Sequence, residues 1–99
     1  MIEVIQSETF ARWLGKLKDP AAVMRINARI RRLTETGNFG YTKPVREGIS
    51  EMRIDYGPGY RLYFIQSGPV LVVLLAGGDK NTQDTDIKRA IEIAKEWKP

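Results

Sequence analysis

Arg53 and Arg61 stand on either side of Gly57-Pro58-Gly59, and Tyr63 follows Arg61 by two residues. Guanidinium forks match the oxygens of phosphate bidentately, and lysine adds a point charge. Tyrosine rings offer bases a face to stack on, as single-stranded nucleic acid sites require. Further groups of these types lie in two Gly-containing segments. Tyr41, Lys43 and Arg46 fall within 37–48 (GNFGYTKPVREG), and Lys80 and Gln83 within 77–83 (GGDKNTQ). Brought together, they would line a groove for phosphate. A purely structural use is also open: Asp55 with Arg61 as a cross-strand ion pair contributes about 0.2–1 kcal/mol.

The rest of the composition narrows the chemistry by what it lacks. The chain has 99 residues with 16 Lys+Arg, 12 Asp+Glu, no His and no Cys. Without imidazole or thiol there is no Ser-His-Asp triad, Cys-His dyad, His-paired ribonuclease site, disulfide framework or thiolate metal site. Neither metal nor cofactor is expected. GGDK lacks the GxxxxGK[ST] spacing of a nucleotide-binding P-loop. Asp79, Asp84 and Asp86 could be grouped as metal ligands, but capping and first-turn dipole compensation at a helix N-terminus explain Asp84 and Asp86 more cheaply. The charge is uneven: residues 1–50 hold 9 basic and 5 acidic side chains, residues 51–99 hold 7 of each. Between 25 and 46, six cations face Glu35 alone. With a sequence pI near 9.6, that is the footprint of a polyanion binder, or else a solvated basic helix face. MIEVIQSETF reads as no secretory leader, and 70–76 (VLVVLLA) is far shorter than the about 20 residues of a membrane span. A cytoplasmic protein away from membranes is expected.

These groups need elements to hold them. One domain over 1–99 suits this length. Residues 1–6 read as a short strand. Ser7 is placed as the N-cap of a helix with Phe10, Trp13, Leu14 and Leu17 on one face. Asp19-Pro20 starts a second helix burying Val23, Ile26, Ile30 and Leu33, with Arg25 and Arg32 opposite and Gly37 as its stop. Residues 37–48 read as a loop. From Ile49 the period becomes two, and alternation on both sides of 57–59 predicts a hairpin. A three-residue turn would pair Ile54 with Leu62, Arg53 with Tyr63 and Asp55 with Arg61. One hairpin face is then apolar, and the other carries Glu51, Arg53, Asp55, Arg61 and Tyr63. The run 70–76 reads as a central strand covered on both faces. A loop over 77–83 leads to a last helix with Ile87, Ala90, Ile91, Ala94 and Trp97 on one side. The order β-α-α-β-β-β-α is an α+β fold, helices packed on a small, mostly antiparallel sheet.

GISEMRIDYGPGYRLYF (48–64) followed by VLVVLLAGGDKNTQDTDIKRAIEIAKEW (70–97), with GNFG and KPV upstream, resembles the RelE/ParE superfamily of toxin–antitoxin toxins. The similarity is greatest to its addiction-module killer branch, near the HigB-like toxins, and covers nearly the whole chain. The resemblance implies an mRNA interferase that cleaves in the ribosomal A site without metal, and a small helix-turn-helix antitoxin as partner. It gives Arg61 the role of stabilising phosphate in the transition state, with Arg53 and Lys80 as the accompanying cations. Where RelE carries a catalytic tyrosine early in the last helix, this chain has Ile87. Tyr63 or Tyr41 takes its place, or the chemistry is weaker, or the activity differs; ParE-type relatives share the fold and poison gyrase instead. Strand cleavage by 2′-OH attack would need a base, positive charge around the phosphorane and an acid for the leaving oxygen. Lysine (about 10.4) and tyrosine (about 10) need a lowered pKa to act as bases at neutral pH. Glu51 is the alternative base.

Overall fold

Ser7 caps the first helix, its Oγ accepting from Phe10 N at 3.0 Å and donating to Leu75 O at 2.7 Å. One side chain thus satisfies a helix start and ties it to the sheet. Asp19 caps the second helix over Ala21 and Ala22, Pro20 opens it, and Gly37 ends it in the left-handed conformation at φ 72°. In this computed structural model, which describes residues 2–97, the elements are β1 (Glu3–Gln6), α1 (Glu8–Lys16), α2 (Pro20–Thr36), β2 (Thr42–Arg46), β3 (Ile49–Ile54), β4 (Tyr60–Ser67), β5 (Leu71–Asp79) and α3 (Gln83–Ala94). Single 3₁₀ turns precede and follow α3 at Lys80–Thr82 and Lys95–Trp97. The strands form one sheet in the order β1-β5-β4-β3-β2, parallel only between β1 and β5. This is the expected α+β architecture with one strand more. Among the described residues no helix is long and apolar enough to cross a membrane.

The extra strand is β2, inside the segment expected to be a loop. Pro44 argues against a strand because it cannot donate to a ladder, but an edge position with a bulge accommodates it. β2 is an edge strand, and its register slips between Pro44 and Arg46. Glu47 and Gly48, both at positive φ (50° and 81°), close the two-residue turn to β3.

The β3–β4 hairpin forms with a corrected register. Met52 faces Leu62, Arg53 faces Arg61, Ile54 faces Tyr60 and Glu51 faces Tyr63. The turn is wider than three residues, because Tyr56 N bonds back to Ile54 O and Gly59 N to Tyr56 O, with Gly57 and Gly59 left-handed. The shift is two residues, so the side of every residue is preserved. The expected Asp55–Arg61 pairing is lost, since Asp55 lies in the turn.

Each face of the sheet is packed. Met52, Ile54, Tyr60, Leu62, Phe64, Val72 and Leu74 meet Phe10 of α1 and Ala22, Ile26 and Leu33 of α2. Ala22 takes a buried place expected of Val23, which with Ile30 is half-exposed. On the other face Ile49, Tyr63, Val73, Leu75 and Ala76 meet Ile87, Ala90 and Ala94 of α3. Trp97 lies past α3 and is 38% exposed. β5 runs on through Gly77 and Gly78, where a loop was expected. Their missing side chains explain it: a Cβ at Gly77 would collide with the Trp13 ring, and one at Gly78 with the Asp86 carboxyl. α3 lies over β5 and β4 and barely reaches β3, so the hairpin end of that face stays open.

Candidate functional site

The open end of the face carries the polar hairpin residues. Arg53 and Arg61 are direct cross-strand neighbours, an arrangement that like charges make unfavourable unless something compensates. Glu51 compensates it. Its side chain is fully buried, with Oε2 accepting from Arg53 Nε at 2.6 Å and lying 3.8 Å from Arg61 Nε. Arg53 is thus held by Nε through a hydrogen bond, and Arg61 lies within ion-pair distance of the same carboxylate; their side chains are 32% and 13% exposed. Arg61 Nη1 donates to the Gln83 carboxamide oxygen at 2.9 Å when that oxygen is turned toward it; the Gln83 amide then donates to Lys80 O at 3.3 Å.

A pocket of about 420 Å³ opens beside them, lined by Arg29, Tyr41, Arg53, Ile54, Asp55, Gly59, Tyr60 and Arg61. Tyr41, 58% exposed, lies under the Arg53 guanidinium at 5.2 Å from ring centroid to Cζ. Its carbonyl accepts from Arg53 N, which fixes the ring beside β3. Arg29 reaches from α2 to donate to Arg53 O at 2.7 Å and Phe39 O at 2.9 Å. Burial, and then Arg32, lower its pKa from the usual arginine range. The Lys80 stem packs near Gly59 on the pocket rim.

Of the residues singled out by sequence, Arg53, Arg61 and Tyr41 line this pocket, Gln83 contacts Arg61 from beside it, and the Lys80 stem lies near Gly59 of its wall. Lys43 lies on the same face, opposite Glu51 in the ladder, and is exposed. Arg46 points elsewhere: it pairs with Asp84 at 2.8 Å. Tyr63 is wholly buried, so its ring offers no face for stacking. Its phenol is pushed up to about 12, by burial first and then by Glu51 and Asp86, against the smaller opposing effects of Arg61 and Gln83. A tyrosine acting as base would need a lowered pKa; at Tyr63 desolvation and the two carboxyls outweigh Arg61, so it does not meet that condition. Gln83 lies beside the phenol, yet among the described residues no group completes a well-formed hydrogen bond to Tyr63 OH, and Glu51 Oε1 is likewise buried without a partner there. Arg29 was missed by sequence, since it flanks the apolar stripe of α2 and reads as one more surface cation.

The three carboxyls near α3 have separate duties. Asp79 caps the 3₁₀ turn, and Lys88 and then Arg46 hold Asp84 below the usual carboxylate range. Asp84 and Asp86 do lie in the first turn of α3, although neither is its N-cap. Asp86 is buried over Gly78 and accepts from Thr82 Oγ1 at 2.5 Å. Among the described residues no three His, Cys, Asp or Glu side chains are grouped to hold a metal. Burial raises the Asp86 pKa above its usual 3.8. A raised acid is stabilising when protonated, so its contribution is complete below about pH 4 and is lost as pH rises through the folded-state pKa. Asp86→Asn should flatten that decline, measured as Tm from pH 3.5 to 7.5; an unchanged slope would assign the decline to other groups.

Residues 12–98 match the model of the family described as phage derived protein Gp49-like (DUF891). The chain belongs to the Gp49-like family. This Gp49-like chain is also 54% identical over 95 residues to an uncharacterized protein of Haemophilus influenzae, covering 96% of this chain and 95% of that one. The family match takes in both arginines, Glu51, Tyr41, Lys80 and Gln83.

Proposed function

We propose that this protein is the toxin of a type II toxin–antitoxin module and acts as a metal-independent mRNA endonuclease of the RelE/HigB kind. Membership of the Gp49-like family, which is grouped with addiction-module killer proteins, supports the toxin part and an antitoxin as partner. The observation that carries the nuclease part is the pair of facing arginines anchored by one buried carboxylate at the wall of a pocket that also holds an exposed tyrosine. Arg53, hydrogen-bonded through Nε, and Arg61, paired with the same carboxylate, would offer their remaining N–H groups to one phosphate. Charge placed in advance where a phosphorane develops stabilises the transition state without reorganisation.

In this mechanism an RNA base stacks on Tyr41 and its 3′ phosphate sits between Arg53 and Arg61. The 2′ oxygen attacks phosphorus as its proton passes to water, the P–O5′ bond breaks, the leaving 5′ oxygen takes a proton from water, and a 2′,3′-cyclic phosphate and a free 5′ hydroxyl result. Lys80 at the rim, with Lys43 and Gln83, holds the flanking chain. Tyr63 keeps its proton through the neutral range and supports Glu51 and Arg61 from below. The partner is a small helix-turn-helix antitoxin encoded beside this chain, and the setting is the ribosome.

Induced expression of the chain alone should arrest bacterial growth, and co-expression of the adjacent helix-turn-helix protein should restore it and co-purify both chains. Unimpaired growth at confirmed soluble expression would contradict the toxin reading.

A further inference from the structure

α2 carries Arg25, Arg29 and Arg32 at positions i, i+4 and i+7, with Arg31 beside them and Glu35 as the helix's one acid. Like charges at i, i+3 and i, i+4 cost helix stability. Nothing on the helix offsets that cost: among the described residues neither Arg25 nor Arg32 forms an ion pair. The three arginines and Ala28 instead wall a groove of about 250 Å³ against Ile54 and Asp55 at the hairpin end. Arg25 is held there by the Tyr56 ring, 4.4 Å beneath its Cζ. This groove and the pocket of Arg53 and Arg61 share three wall residues, Arg29, Ile54 and Asp55. They form one cationic track that turns past the end of the sheet.

We propose that the α2 groove is a second RNA-binding segment, in which Arg25 and Arg32 hold backbone phosphates of the strand that leaves the Arg53–Arg61 pocket. The inference rests on the RNA reading of that pocket and extends it. An RNA strand carries a negative charge at every nucleotide, so one ligand complements both ends of the track; seven residues along α2 span about 10 Å, long enough for more than one phosphate. Tyr41 marks the end where a base stacks, whereas the α2 groove is lined by Arg25, Ala28, Arg29, Arg32, Ile54 and Asp55 and holds no aromatic ring among its lining residues. Contacts of Arg25 and Arg32 to backbone phosphates carry no sequence information in themselves.

The test uses fluorescent single-stranded oligonucleotides with 2′-O-methyl ribose, which cannot undergo 2′-OH attack, at lengths of 4 and 12 nucleotides. Arg25→Gln with Arg32→Gln should weaken binding of the 12-mer about tenfold and reduce the slope of log K against log salt by about 1.4, two phosphate contacts at about 0.7 each. Binding of the 4-mer should be unchanged, and Arg31→Gln, outside the groove, should leave both lengths unchanged. Equal loss on the two lengths, or no loss on the 12-mer, overturns the inference. So does a double variant that binds RNA normally but no longer retains the antitoxin, which would make the groove a protein-docking face. Arg61→Ala separates the two readings, because it should weaken both lengths. If the wild-type chain binds neither length, the RNA reading of the pocket fails and this inference fails with it.

Discussion

Arg61→Ala should abolish growth arrest while leaving the protein folded. The Arg61 side chain is 13% exposed and lies at the edge of the α3-covered face. Its removal leaves Glu51 still bonded to Arg53 at 2.6 Å, so no buried carboxylate is stranded. The cost falls on the reaction, where loss of one preorganised donor to developing charge typically lowers the rate about 10²–10³-fold. Leu62→Ala is the contrasting substitution. Leu62 is fully buried between the sheet and α1–α2, and the cavity left there should cost about 2–5 kcal/mol. Thermal unfolding and growth curves of the two variants should therefore diverge: Arg61→Ala folded and harmless, Leu62→Ala markedly destabilised. An Arg61→Ala protein that unfolds like Leu62→Ala, or that remains toxic, would remove Arg61 from the site.

Glu51→Gln should separate RNA binding from cleavage. The carboxylate lies beneath the arginines and is sealed from solvent, so it does not meet RNA. Glutamine keeps the shape and an acceptor but removes the charge that offsets two facing guanidinium groups. The pocket becomes more positive, and RNA affinity should hold or rise. The arginines lose the anchor that fixes their spacing, and displacement of catalytic groups by about 1 Å can cost about 10²-fold in rate. Binding of the uncleavable 12-mer and single-turnover cleavage, measured on the same preparation, would reveal the split. Parallel loss of both, with an unfolded circular dichroism spectrum, would mean that Glu51 only supports the fold. Full cleavage at normal rate would mean that the anchor is dispensable.

Much of this arrangement is legible in the sequence because the hairpin obeys a period of two. Arg53, Arg61, Glu51 and Tyr63 share a face by parity alone, and the two-residue register error does not move them. What parity cannot give is burial. An alternating polar face reads as solvent-exposed, yet α3 covers part of it and shuts Glu51 and Tyr63 away from water. That coverage depends on Gly78 letting Asp86 of α3 close onto β5, while on the opposite face Gly77 admits Trp13 of α1, a residue far away in the chain. The pairing of Arg46 with Asp84 spans 38 residues in the same way, and it draws away a cation that charge counting assigns to the groove. β2 is hidden for a local reason, since Pro44 masks a short edge strand. Arg29 is hidden because its duty, bracing the carbonyls of Arg53 and Phe39, exists only once α2 lies against the hairpin end.

The central claim, phosphodiester cleavage at the facing arginines, is tested most directly by mapping RNA ends after the purified chain meets ribosome-bound mRNA. Fragments ending in 2′,3′-cyclic phosphate are expected with the wild-type protein and should be absent with Arg61→Ala. Intact mRNA in that reaction, together with relaxed plasmid DNA in cells arrested by the same protein, would contradict the claim and make gyrase the target.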